Sequence, residues 1–157
     1  IILACKPKPQ PVYDIIIRGG MLYDGTGSPP YTGDIAIVND TIAALGDLHH
    51  ASAKKEINAQ GMAVAPGFIN MLIWADRNLL QDGRSLSDIK QGVTLEVFGE
   101  GWSPAPLKRR VKNVDSLWTT LDGYFKWIEK KGVTPNVASF VGATSVRHYV
   151  LGDANRR

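Results

Sequence analysis

The sequence predicts two kinds of structure in succession, a small β domain and then an α/β region. Residues 12–65 contain several short runs rich in β-branched residues, separated by turns that contain glycine, proline, asparagine or aspartate. The close spacing of these runs favours a β-sandwich. Residues 66–157 instead alternate between strand and helix patterns, which is typical of parallel strands joined by helices. The change falls at Pro66-Gly67, a pair that marks a turn.

Composition and charge are those of an ordinary globular protein. The 157 residues are 44% hydrophobic and 21% charged, with a net charge of +3. Part of the positive charge is concentrated in residues 108–112. Neither a nucleic-acid-binding motif nor an interleaved row of aromatic residues accompanies this segment, so we interpret it as a solvated loop and expect no nucleic-acid partner.

Each element of the α/β region has its own local signal. Residues 68–74 are almost entirely apolar, which predicts a strand buried on both faces. Ser85 and Asp88 have the spacing of a capping box at the start of a short helix. A second strand is predicted over residues 93–98 and a third over residues 136–142. Between them, apolar residues at helical spacing predict a helix that is capped by Asp115 or Ser116 and ends at Gly132.

Residues 66–70, which read PGFIN, carry a resemblance to a known family. They resemble the PGFID that opens the barrel of amidohydrolases, especially in the N-acyl-D-amino-acid deacylase (D-aminoacylase) branch. Segments from Tyr13 onwards follow the amino-terminal pattern of that family in order. The resemblance implies that residues 66–157 form the first three βα units of a TIM-type (β/α)8 barrel. Since a complete barrel takes about 250 residues, we expect an incomplete barrel and a chain that is inactive by itself.

The resemblance also implies an activity, a metal and a substrate. It implies a metal-dependent hydrolase of amide C–N bonds that uses a divalent cation, zinc, and takes an N-acyl amino acid or related amide as substrate. In that family the motif continues x-H-x-H, and both histidines bind the metal. Here the two histidine positions are Leu72 and Trp74, and the aspartate position is Asn70. The barrel motif is therefore present without its metal ligands, and because neither side chain has a donor atom, we expect one cation per full-length protein and not two.

Three other residues occupy positions that carry roles in the family. Glu100 falls on or beside the position of a cysteine that binds metal, and its carboxylate is a ligand that zinc accepts. Arg147 matches an arginine that meets the substrate carboxylate, and Asp76 matches an acidic position after the histidine pair. We therefore expect Glu100 as a metal ligand, and Arg147 and Asp76 in substrate binding. The residues that would act as catalysts are expected beyond Arg157.

A different class of function stays open. Without the histidine pair, the chain could belong to a lipid-anchored binding protein on a catalytically inactive amidohydrolase scaffold, with residues 72–74 lining an apolar pocket. For Glu100 itself, the alternative to a metal ligand is a loop carboxylate that caps a neighbouring turn. Two histidines at the ends of later strands, together with a late aspartate, would favour the enzyme.

The first residues suggest attachment to a membrane. Residues 1–5 resemble the end of a bacterial lipoprotein signal peptide, in which small Ala4 precedes Cys5. The proline-rich residues 6–11 follow as an extended tether. We therefore expect lipidation of Cys5 and a location in the bacterial cell envelope, anchored to a membrane. A chance cysteine in an ordinary leader is the alternative.

Overall fold

The computed structural model describes residues 12–108 and 118–154. The chain divides into two compact units, and the boundary lies between Pro66 and Gly67. Cys5 and the two predicted capping residues, Asp115 and Ser116, lie outside the described residues. Within the described ranges, no helix has the length and apolar character needed to cross a bilayer.

The first unit contains one five-stranded sheet. Its strands are β1 (Val12–Leu22), β2 (Tyr31–Val38), β3 (Thr41–Gly46), β4 (Ser52–Asn58) and β5 (Ala63–Val64). The order is β3-β2-β1-β4, and β5 also pairs with β1. The central strand, β1, is antiparallel to β2 and parallel to β4 and β5. The strands described in this unit thus form a single sheet, and the predicted sandwich is not confirmed.

The first strand is long, although the Gly19-Gly20 pair within it is a common signal for the end of a strand. Gly19 and Gly20 do not end β1; they lie at an irregularity of its pairing with β2, between Ile17 and Gly20. Gly19 has φ +65°, a conformation that glycine adopts without a steric penalty. The glycine pair therefore bends a continuous strand.

The second unit alternates strands and helices around a parallel sheet. Its elements are β6 (Phe68–Asn70), α1 (Asn78–Gln81), α2 (Leu86–Ile89), β7 (Val93–Phe98), α3 (Leu121–Lys131), β8 (Asn136–Ser139) and α4 (Ala143–Leu151). The sheet order is β6-β7-β8, and both pairings are parallel. The prediction for the second strand, residues 93–98, is confirmed at both ends.

The first strand of this unit is shorter and more exposed than predicted. β6 has three residues, and the side chains of Phe68 and Ile69 are more than half exposed. The expectation of burial on both faces was wrong for these residues. Among the described strands, β6 lies at the edge of the sheet, so a neighbouring strand shields it on one side alone.

Helix α3 supplies much of the core of the second unit. Tyr124 and Ile128 are buried on its inner face, and they pack with Leu79, Phe98 and Trp118. The hydroxyl of Thr120 accepts a hydrogen bond from the backbone N–H of Gly123 at 3.1 Å, so the helix begins at Leu121. Gly132, with φ +77°, ends it as predicted.

The predicted capping box at α2 does not form. Ser85 adopts a left-handed conformation, with φ 43°, and its side chain makes no cap hydrogen bond. Its hydroxyl instead donates to Oε1 of Glu96 at 2.5 Å. The sequence spacing was correct for a cap, but a buried carboxyl on the adjacent strand competes for the same hydroxyl.

Candidate functional site

The predicted site residues follow the carboxyl ends of the three parallel strands, which meet at one edge of the sheet. The backbone N–H of Ile73 donates to the carbonyl of Val97 at 3.2 Å, and that of Phe140 donates to the carbonyl of Phe98 at 2.9 Å. These hydrogen bonds hold the segments that follow β6 and β8 beside the end of β7. The carboxyl edge of a parallel sheet is the usual place for a ligand site.

Leu72 and Trp74 place apolar side chains at the end of the first strand. They are 51% and 59% exposed. A methyl group at Gly101 would lie 3.8 Å from Cη2 of Trp74, so the indole extends to the turn after β7. Leucine has no donor atom for a metal, and the indole nitrogen carries a hydrogen and offers no lone pair. This strand end therefore contributes no metal ligand.

Glu100 lies in the turn that follows β7. Gly99 and Gly101 on either side have φ +97° and +79°, and the carbonyl of Glu100 accepts the backbone N–H of Trp102 at 3.0 Å. The side chain of Glu100 is exposed. Across residues 12–108 and 118–154, no three histidine, cysteine, aspartate or glutamate side chains lie together as a metal site. Metal binding by Glu100 stays a prediction.

Gly99 has no room for a side chain. A Cβ at this residue would overlap the backbone carbonyl of Phe140, at the end of the adjacent strand β8. The positive φ of Gly99 adds a second reason for glycine. The turn that carries Glu100 is thus held close against the end of β8.

Asp76 lies farther along the chain, between β6 and α1, and is half-buried. Burial raises the pKa of its carboxyl, and a hydrogen bond from the backbone of Arg77 opposes this shift. Its backbone carbonyl accepts the hydroxyl of Tyr124 at 2.9 Å. The packing of α3 therefore fixes the backbone at Asp76.

A cavity of about 360 Å³ adjoins Asp76. Its wall includes the rings of Trp102, Trp118, Tyr124 and His148. This volume is in the range of small-molecule sites. Neither Glu100 nor Arg147 is part of the wall that the described residues form. Of the three predicted site residues, Asp76 alone therefore lines this cavity.

Arg147 lies on α4, which follows β8, and is exposed. One of its guanidinium nitrogens, Nη2, donates to the backbone carbonyl of Ala154 at 3.1 Å. In this structure the side chain therefore binds the segment after its own helix. Its role toward a substrate carboxylate stays a prediction.

Two buried serines hold the start of α4 against the loop after β7. The backbone N–H of Ser103 donates to Oγ of Ser145 at 2.8 Å, and that of Gly142 donates to Oγ of Ser103 at 3.0 Å. Both serines are buried. They position the helix that carries Arg147, and sequence analysis did not identify them, because serine in a loop carries no distinctive pattern.

Glu96 is a second residue that sequence analysis missed. It lies within β7, is fully buried, and accepts the Ser85 hydroxyl through Oε1. Its other oxygen, Oε2, has no hydrogen-bond partner among the described residues. Burial raises the pKa of this carboxyl, and the negative charge of Asp88 raises it further. A glutamate inside a mostly apolar strand was the signal available in the sequence.

The chain is similar in sequence to deacylases that act on N-acyl-D-amino acids. The chain is 37% identical over 153 residues to the N-acyl-D-aspartate deacylase of Alcaligenes xylosoxydans xylosoxydans, covering 91% of this chain and 31% of that protein. The chain is a homologue of the N-acyl-D-amino-acid deacylases of the amidohydrolase superfamily. It spans about a third of the length of the relatives that it matches. No family model matches the chain.

Solved structures of deacylases share the fold of the region covered. A D-aminoacylase described as having a binuclear metal centre matches with a TM-score of 0.81 at 32% identity, covering 92% of this chain and 32% of that one. An N-acyl-D-glutamate deacylase from Bordetella bronchiseptica, complexed with zinc and a phosphonate inhibitor, matches with a TM-score of 0.75 at 30% identity. That match covers 86% of this chain and 30% of the neighbour.

The described residues do not fit a binuclear metal centre. Leu72 and Trp74 offer no ligand atoms, and Glu100 is a single exposed carboxylate without a second ligand beside it among the residues described. A stable metal site needs three or four ligands at fixed geometry. No chemical step through a metal can therefore be derived from this chain.

Proposed function

We propose that this chain is the amino-terminal part of a hydrolase that cleaves the amide C–N bond of N-acyl-D-amino acids. The observation that carries the proposal is the similarity to a deacylase of this class across nine-tenths of the chain. The match of 92% of this chain to solved D-aminoacylases, with TM-scores of 0.80 and 0.81, supports it. In this proposal residues 66–157 form the first three βα units of a (β/α)8 barrel, and the remaining units complete the site.

The test is hydrolysis by the full-length protein. N-acetyl derivatives of D-aspartate, D-glutamate and D-methionine are incubated with it, the matched L-enantiomers serve as controls, and the released amino acid is measured by chromatography. We expect release from D-enantiomers and little from L-enantiomers. Absence of release from every derivative, with zinc supplied, would contradict the proposal.

We also propose one zinc ion per full-length protein, with Glu100 among its ligands and the others supplied from outside this chain. The zinc in a related deacylase supports the choice of metal. The lack of ligand atoms at Leu72 and Trp74 supports a single ion, since a second ion would have no ligands on the first strand. Metal analysis of the parent should give one equivalent, and the Glu100→Ala variant should lose it.

The matched control is Glu129→Ala, which removes an exposed carboxylate from α3. It should keep the metal content of the parent. Two equivalents in the parent, or an unchanged single equivalent in Glu100→Ala, would refute the assignment.

A binding protein on an inactive scaffold is the second candidate. The specific observation that favours it is the pair of exposed apolar side chains, Leu72 and Trp74, at the positions of the missing histidines. If this candidate is correct, the full-length protein binds N-acyl-D-amino acids at equilibrium but does not hydrolyse them. Calorimetric titration beside the hydrolysis assay separates the two candidates.

Attachment to the bacterial cell envelope through a lipid on Cys5 is a further proposal. It is supported by Ala4 before the cysteine and by the proline-rich tether. Two or more acyl chains anchor a protein firmly, whereas one chain anchors weakly. The full-length protein should therefore sediment with membranes and incorporate labelled palmitate. A Cys5→Ser variant that still does both would count against the proposal.

A further inference from the structure

Glu96 is a buried carboxyl in the middle strand of the parallel sheet, and the proposed function does not use it. It lies in β7, between β6 and β8, with none of its surface exposed. Its Oε1 accepts the hydroxyl of Ser85, and its Oε2 has no hydrogen-bond partner among the described residues. Because the residues of this unit already enclose Glu96 completely, its surroundings do not depend on what covers the edges of the sheet.

The groups that face Glu96 provide no positive charge. Its neighbours in the sheet, Asn70 on β6 and Val137 on β8, are uncharged. On the helix side, Asp88 of α2 carries a negative charge close enough to act on Glu96, and Tyr124 of α3 has a phenol whose pKa is raised by burial, so it stays neutral. An ionised Glu96 would be a buried charge with one hydrogen-bond donor, which costs far more free energy than a buried neutral carboxyl.

The hydroxyl of Ser85 ties Glu96 to residues 85–92, which we call the α2 segment. The backbone N–H groups of residues 88–92 all donate to carbonyls within residues 85–89, so the segment is hydrogen-bonded within itself. Ser85 has φ 43°, a left-handed conformation that is uncommon for residues other than glycine. The bond from Ser85 to Glu96 is the one side-chain hydrogen bond that joins this segment to β7 among the residues described. The segment can therefore separate from β7 as a unit.

Strand β6 is held to the same segment. Nδ2 of Asn70 donates to Oδ1 of Asp88 at 3.2 Å, and the backbone N–H of Phe68 donates to the carbonyl of Gly92 at 2.8 Å. β6 has three residues and lies at the edge of the described sheet. Movement of the α2 segment would therefore loosen the strand that leads to the site edge.

We propose that Glu96 is a pH-sensitive lock on the α2 segment: its neutral carboxyl keeps the segment closed on β7, and loss of the proton to water opens the segment and hydrates the carboxylate. In the open state the carboxyl titrates at its ordinary pKa of 4.5, whereas burial raises its pKa in the closed state. Between these two pKa values, each pH unit multiplies the ratio of open to closed molecules by up to about tenfold. Above the higher pKa the ratio is constant.

Amide hydrogen exchange of the full-length protein tests the lock, with mass spectrometry of peptides that cover the α2 segment. Rates measured from pH 5 to pH 8 are divided by the intrinsic rate of each amide at the same pH, which gives a protection factor. In the parent, the protection of residues 88–92 should fall as pH rises, by up to about tenfold per pH unit. Glu96→Gln cannot ionise and should show no such fall.

A second variant, Asp88→Asn, removes the negative charge near Glu96 and keeps an acceptor for Asn70. Its closed state should ionise at a lower pH, so the total loss of protection between pH 5 and pH 8 should be smaller than in the parent. Circular dichroism verifies that each variant is folded. If Glu96→Gln does not fold, Asp88→Asn decides, and a loss equal to that of the parent would overturn the lock.

Low concentrations of urea separate local opening from unfolding of the whole unit. Local opening exposes little surface, so urea should hardly change the exchange of residues 88–92, whereas it accelerates exchange through global unfolding. Glu129→Gln, which neutralises an exposed carboxylate on α3, is the control and should keep the pH dependence of the parent. Constant protection in the parent, an equal fall in Glu96→Gln, or exchange that urea accelerates as much in the α2 segment as in α3 would each overturn the proposal.

Discussion

The hydroxyl of Tyr124 offers a sharp test of how the second unit is held together. Tyr124 is completely buried, packs edge-to-face on Trp118, and donates a 2.9 Å hydrogen bond to the backbone carbonyl of Asp76. Burial, with Asp76 and Glu96 nearby, raises the pKa of its phenol above the ordinary value of 10.0. The phenol is therefore neutral, and able to donate, throughout the physiological range.

Replacement by phenylalanine removes the hydrogen bond and keeps the ring. We expect Tyr124→Phe to lower the free energy of unfolding by about 1 kcal/mol, the net value of one such hydrogen bond. Tyr124→Ala also leaves a cavity in the core, so its cost should be about 3–5 kcal/mol. The difference between the two variants then measures the packing of the ring.

The assay is urea unfolding of the full-length protein, followed by circular dichroism and tryptophan fluorescence together. Tyr149→Phe is the control, because Tyr149 lies on α4 with nearly half of its surface exposed, and we expect a change within about 0.5 kcal/mol. The reasoning is refuted if Tyr124→Phe is as stable as the parent, or if the two phenylalanine variants lose equal stability.

Two further predictions concern the strand ends and the buried carboxyl. Because burial raises the pKa of Glu96 above 4.5, its neutral form stabilises the fold below pH 4.5, and this contribution is lost as pH rises through the raised pKa. In urea unfolding, Glu96→Gln should therefore gain stability relative to the parent as pH rises from 4 to 8. A difference in unfolding free energy between variant and parent that does not change with pH would argue against this. Gly99→Ala should destabilise the protein by more than Gly27→Ala does, because a Cβ at Gly99 meets Phe140 and one at Gly27 meets open space. We expect Gly27→Ala to cost about 1–2 kcal/mol, since alanine disfavours a left-handed backbone. Equal decreases in the melting temperature of the two variants would contradict this.

The elements that the sequence predicted correctly are those whose signals lie within a few neighbouring residues. The strand over residues 93–98 and the glycine that ends α3 are where the sequence placed them. Side-chain alternation and a left-handed helix terminus depend on neighbours within a few residues. The three predicted site residues each follow one of three successive parallel strands, whose carboxyl ends meet at one edge of the sheet.

Long-range pairing could not be predicted in this way. Parallel pairing of β1 with β4 joins residues about forty positions apart, which no local periodicity encodes. Ser85 likewise has the spacing of a helix cap, yet its hydroxyl binds Glu96 on the adjacent strand. Which partner receives a hydroxyl depends on what the fold places within hydrogen-bond distance.

By itself, the sequence determined the chemistry available at the first strand: Leu72 and Trp74 offer no metal ligand in any conformation. It also placed Asp76, Glu100 and Arg147 after three successive strands. The tertiary structure alone decided that Asp76 lines a cavity whose described wall does not include Glu100, that Arg147 binds the carbonyl of Ala154, and that Trp74 meets Gly101. The identity of a side chain fixes its donor atoms, whereas its contacts depend on the packing of residues distant in the chain.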